Sequence, residues 1–149
     1  MTRMRTVLPV LVAAGCAAVV LPSQAQAASA IQIYKIYYNS PGADRGGNTS
    51  LNAEYVEVKN TGRSAIELRG YKVKDASNHW YTFPAYKIGA GKTVKVHTGK
   101  GTTSAGNLYQ GRSWYVWNND KDTATLYKSG GAFADSCSYN NSRVDYKMC

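Results

Sequence analysis

The chain has 149 residues, with 18 Lys and Arg against 9 Asp and Glu, a formal net charge of +9. Two histidines and three cysteines are too few for a His-rich metal centre, and the length suits one domain of ordinary size. The basic balance favours anionic partners: nucleic acid, acidic glycan, wall polymer or a lipid surface.

The first segment, residues 1–27, has a basic head (Arg3, Arg5), an apolar run from Val7 to Leu21 and a small-residue end at Ala25-Gln26-Ala27. That pattern is a secretory signal, and the run is shorter than the roughly 20 residues that cross a bilayer. Cleavage after Ala27 leaves residues 28–149 as a single exported domain with no transmembrane segment. A minor alternative is lipid anchoring through Cys16, which follows Ala14-Gly15. Losing Arg3 and Arg5 lowers the basic count from 18 to 16 and the charge to +7. Losing Cys16 leaves Cys137 and Cys149, an even pair expected to form one disulfide in an oxidising compartment.

From Ile31 onward, short β-rich runs alternate with Gly, Asn, Asp and Ser, without a sustained helical period. Strands are predicted over 31–38, 53–59, 65–68, 71–74, 79–83, 93–98, 114–117, 122–127 and 132–138. Alternation sets Val56 and Val58 inward against Tyr55, Glu57 and Lys59. It likewise sets Val94 and Val96 against Thr93, Lys95 and His97, and Tyr71 and Val73 against Lys72 and Lys74. Two polar, Gly-rich stretches, 39–52 and 99–106, read as loops. Asn118-Asn119 and Gly91 suit left-handed turn positions, and Phe83 and Trp117 suit the space between two sheets.

Chemistry is sparse. Nucleophilic catalysis needs a hydroxyl or thiol beside a base, and His79 and His97 both read as solvated surface residues, so no catalytic residue and no cofactor is expected. Glu54 shares a face with Val56 and Val58. It is expected to point inward and accept backbone N–H bonds that tie down the 39–52 loop. A sharper alternative is an oxygen-ligand calcium site shared with Asp44. Twelve tyrosines and three tryptophans, many beside a cation, offer stacking and cation–π contacts. The candidate binding residues are Lys72, Lys74, Lys95, Tyr109, Arg112 and Trp114. An open, Tyr-rich edge would also favour self-association by β-pairing.

Several phrases, in order, carry a family likeness: Glu54-Tyr55-Val56-Glu57-Val58-Lys59-Asn60, Leu68-Arg69-Gly70-Tyr71, Tyr81-Thr82-Phe83-Pro84, Ile88-Gly89-Ala90-Gly91, and Trp117-Asn118-Asn119-Asp120 leading into Asp122-Thr123-Ala124. Together they resemble the lamin tail domain, particularly its bacterial secreted versions, over Ile31 to about Tyr139. The resemblance implies an all-β, immunoglobulin-like antiparallel β-sandwich. It also implies associations with chromatin contacts or with secreted hydrolases. The expected function is a non-catalytic secreted binding or adhesion module for an anionic extracellular or cell-surface partner. A carbohydrate-binding module, an extracellular nucleic-acid binder and a hydrolase accessory are the alternatives.

Overall fold

The computed structural model describes residues 28–149. The expected signal segment, with Cys16, lies outside the described residues. Eleven strands and one short helix follow in chain order: β1 (Ile31–Tyr37), α1 (Asn48–Ala53), β2 (Tyr55–Asn60), β3 (Ile66–Glu67), β4 (Lys72–Lys74), β5 (Trp80–Thr82), β6 (Lys87–Ile88), β7 (Thr93–His97), β8 (Asn107–Tyr109), β9 (Lys121–Tyr127), β10 (Phe133–Asn140) and β11 (Tyr146–Met148). They form a five-stranded sheet ordered β11-β1-β2-β7-β8, a four-stranded sheet ordered β10-β9-β4-β5, and the small pair β3-β6.

The two larger sheets pack as a sandwich because each strand carries apolar residues at every second position. Val56 and Val58 of β2, Val94 and Val96 of β7, Val73 of β4 and Ala124 and Leu126 of β9 are all buried, as the alternation required. Phe83 and Trp117 lie in the same core. Tyr38 and Tyr139 stack with their ring centres 3.9 Å apart, and their hydroxyls donate to the carbonyls of Asn141 and Asn118. Burial of Tyr139 pushes its phenol well above the usual range.

Strand β1 departs from simple alternation. Its register against β2 shifts between Ile33 and Lys35, and β10 shifts against β9 between Phe133 and Asp135. The bulge lets Ile31, Ile33 and Ile36 all reach the core, and it turns Lys35 and Tyr37 outward. Asp135 secures it from the other sheet, accepting the Ile33 N–H at 2.8 Å.

Four sequence expectations are corrected. Residues 114–117 form no strand, because the Val116 and Trp117 N–H groups bond to a side chain rather than to a ladder. Residues 48–53, expected as loop, form α1. Strands β6, β8 and β11 are too short to announce themselves in the sequence, and β8 runs parallel to β7, the exception in an otherwise antiparallel sandwich. Left-handed backbone falls on Gly91, as expected, and on Asn78 rather than on Asn118 or Asn119.

The chain end closes the sandwich. Cys137 of β10 and Cys149 beyond β11 form a disulfide that links the two sheets across 12 residues. In the chain-entropy account a loop of this size contributes about 3 kcal/mol. Edge strand β11 places Lys147 opposite the buried Ile36, where it lines a small cavity with Asp135 and Cys149. A three-residue edge that carries a lysine is poorly suited to pairing with another sheet.

Candidate functional site

Turning Tyr37 outward completes a row of rings across the five-stranded sheet. The register sets Tyr37 beside Tyr146 and Tyr55, Tyr55 beside His97, and His97 beside Tyr109, so every strand supplies one ring. Ring centres are 6.1 Å apart for Tyr146–Tyr37, 5.6 Å for Tyr37–Tyr55, 5.7 Å for Tyr55–His97 and 5.0 Å for His97–Tyr109. Planes 15–20° apart at the Tyr146–Tyr37–Tyr55 end require offset stacking rather than coplanar tiling. Tyr55 meets His97 at 61°, so the row changes from stacked to edge-on packing at that step.

Lysines flank the row. The Lys35 ammonium lies 4.3 Å from the Tyr146 ring centre and 5.4 Å from that of Tyr37, while Lys95 lies 4.6 Å from Tyr55. One row further along, Lys59 sits 5.0 Å from the exposed Tyr34 ring. Glu57 stands between Lys35 and Lys95 in register. Even so, the only ion pair within 4.0 Å among the described residues is His79–Asp75. The ammonium groups of this face thus hold no carboxylate at contact distance.

His97 is half-buried rather than solvated. Its Nδ1 donates to the Asn52 carbonyl at 2.6 Å, and Nε2 lies 2.9 Å from Asn107 Oδ1. Both nitrogens are occupied, so the ring is a fixed member of the row. His79 is exposed, but its Nδ1 contacts the buried Asp75 carboxylate at 2.6 Å.

The candidate residues divide among three places. Lys95 and Tyr109 belong to the ring row. Lys72 and Lys74 stand on the opposite outer face, where the Lys74 ammonium lies over the exposed Trp80 and donates to Asn78. Arg112 and Trp114 belong to the irregular segment after β8, at one end of the sandwich. Tyr37, Tyr55 and Tyr146 escaped the sequence reading, since their alignment depends on the β1 bulge and on a three-residue strand.

Beneath that irregular segment lies Glu54, inward as expected and fully buried. Its Oε1 accepts the Thr98 hydroxyl at 2.6 Å, the Val116 N–H at 2.8 Å and the Trp117 N–H at 3.2 Å. Glu54 thus ties down residues 116–117 rather than the 39–52 loop. Burial pushes its carboxyl up to about 7, with the Asp44 charge acting in the same direction, against the opposing pull of the three hydrogen bonds. Asp44 is exposed and accepts the Asn119 amide at 2.7 Å. Among the described residues, no group of three or more His, Cys, Asp or Glu is placed to hold a metal ion. The Thr98–Glu54 pair is sealed from solvent, and no hydroxyl or thiol is bonded to the imidazole of His79 or His97 among the described residues. Nor does any helix among them have the length and apolarity to cross a membrane.

The lamin tail domain family model matches residues 24–141, most of the chain, so the protein belongs to the lamin tail domain family. The family is a non-enzymatic, immunoglobulin-like domain family, in agreement with the sandwich described above. No curated protein matches the chain.

Proposed function

We propose that this lamin tail domain is a non-catalytic, exported binding module that holds a linear anionic polymer along the outer face of its five-stranded sheet. The observation that carries the reading is the ring row spanning all five strands, flanked by Lys35 and Lys95 without ion-pair partners. Stacked rings offer hydroxyl edges, and the lysines offer ammonium groups. Both suit phosphate, sulfate or carboxylate groups spaced along a chain. Nucleobases need open ring faces, and the Lys35 and Lys95 ammonium groups lie over the Tyr146 and Tyr55 rings, which makes base-stacking nucleic-acid recognition the weaker alternative.

Export rests on the basic, apolar and small-residue order of residues 1–27 and agrees with the disulfide between Cys137 and Cys149. The test is binding to a soluble linear polyanion, inorganic polyphosphate, by wild type and by the double variant Lys35→Glu/Lys95→Glu. Affinity is expected to fall at least about 100-fold in the variant, since two charges are reversed on one face. Equal affinity in the two proteins would remove this face as the site.

A further inference from the structure

The segment after β8 holds a second feature that the ring row does not use. Residues 110–119 contain no strand or helix, yet they are braced at nearly every position. The N–H groups of Gln110, Gly111 and Arg112 bond to the carbonyls of His97, Gly99 and Thr98. The Tyr115 hydroxyl meets Ser50 at 2.7 Å, and Val116 and Trp117 are held by Glu54. The Arg112 guanidinium is fixed at both ends, Nε donating to Gln110 Oε1 at 3.0 Å and Nη2 to the Trp80 carbonyl at 2.9 Å.

In the middle of this scaffold Trp114 remains 59% exposed, the most exposed large apolar residue among those described. Its ring lies against Gly46, where a Cβ would come within 2.7 Å of the indole and where the backbone has a φ of +71°. Only glycine accommodates both conditions. Tyr115 packs T-shaped against the indole, with ring planes 76° apart. Two clefts are lined by Trp114. One, of about 590 Å³, is lined by His79, Gln110 and Arg112; the other, of about 260 Å³, by Asp44, Asn118 and Asn119.

We infer that Trp114 is the platform of a saccharide subsite that takes one uncharged pyranose unit of a glycan, with Arg112 and Asp44 of the two adjoining clefts bonding its hydroxyls. A rigidly held, solvent-exposed indole suits the C–H face of a sugar ring, an apolar surface rimmed by hydroxyls. Charge decides the class. A phosphate or carboxylate would meet the Asp44 carboxylate, a cationic group would meet Arg112, and a neutral polyol donates to one and accepts from the other. The subsite lies outside the anionic-polymer face, so either can fail without the other.

The test is an intrinsic-fluorescence titration of the full mature chain with three uncharged β-1,4-linked tetrasaccharides, of glucose, N-acetylglucosamine and mannose. At least one should give a saturable change that persists at high salt and survives Lys35→Glu/Lys95→Glu. Calorimetry with the same sugar should then show Trp114→Ala lowering affinity at least about tenfold, Trp114→Phe retaining part of it and substitution of the exposed Phe133, Phe133→Ala, leaving it unchanged. Gly46→Ala, which displaces the indole, should weaken binding with Trp114 still present. Failure of all three sugars to bind wild type, or undiminished binding by Trp114→Ala, would overturn the subsite.

Discussion

The outer face of the five-stranded sheet and the segment 110–119 both present aromatic and cationic groups, but their backbones are secured in different ways. On the sheet, N–H and C=O groups are satisfied by neighbouring strands, and of the row's rings His97 is the one whose side chain also bonds to the backbone, at Asn52. In the segment, two buried N–H groups depend on a single carboxylate, that of Glu54. Function and stability therefore separate between the two regions. Replacing lysines of the face is expected to leave the fold intact, whereas the loop that carries Trp114 stands on one buried acid.

The largest effect is expected for Glu54→Ala. It leaves the Val116 and Trp117 N–H groups buried without an acceptor, which should cost about 3 kcal/mol in chemical denaturation. Glu54→Gln keeps an acceptor and serves as the partner experiment. With a folded value near 7 against about 4.5 unfolded, the stability contributed by protonated Glu54 is fully present below about 4.5 and lost as pH rises through about 7. The melting temperature of wild type relative to Glu54→Gln should therefore fall between pH 5 and pH 8. A flat difference would mean that burial does not perturb this carboxyl.

A smaller effect, on the sheet side, is expected at Asp135. Removing its bond to the Ile33 N–H in Asp135→Ala should cost about 1 kcal/mol, because the β1 bulge loses its external support. The more telling readout is amide chemical shift along Lys35 to Tyr37. Shifts confined to the Asp135 neighbourhood would show that the bulge holds without the carboxylate.

How much was legible follows from the same contrast. Strands β2, β4, β7 and β9 were readable because half-buried antiparallel strands impose a period of two, and the inward set Val56, Val58, Val94 and Val96 followed from it. The ring row was not readable. Strict alternation through β1 would put Lys35 and Tyr37 on the same face as Ile31 and Ile33, and only a bulge secured from 102 residues away reverses them. Residues 114–117 carried the composition of a strand, yet a long-range side-chain acceptor took their N–H groups. Lys72, Lys74 and Lys95 looked equivalent as outward cations, but which of the two outer faces each occupies depends on sheet order, which local pattern does not encode. Tyr146 stood in an apparent tail whose pairing with β1 accompanies the Cys137–Cys149 link.

The central claim, that an anionic polymer lies along the ring row, is tested most directly by the salt dependence of polyphosphate affinity in wild type, Lys35→Gln, Lys95→Gln and the control Lys72→Gln. Each lysine that neutralises an anionic group should contribute about one unit to the slope of log K against log salt. The slope should fall by about one in Lys35→Gln and in Lys95→Gln, and stay unchanged in Lys72→Gln on the opposite face. Equal slopes in all four proteins, or a loss confined to Lys72→Gln, would contradict it.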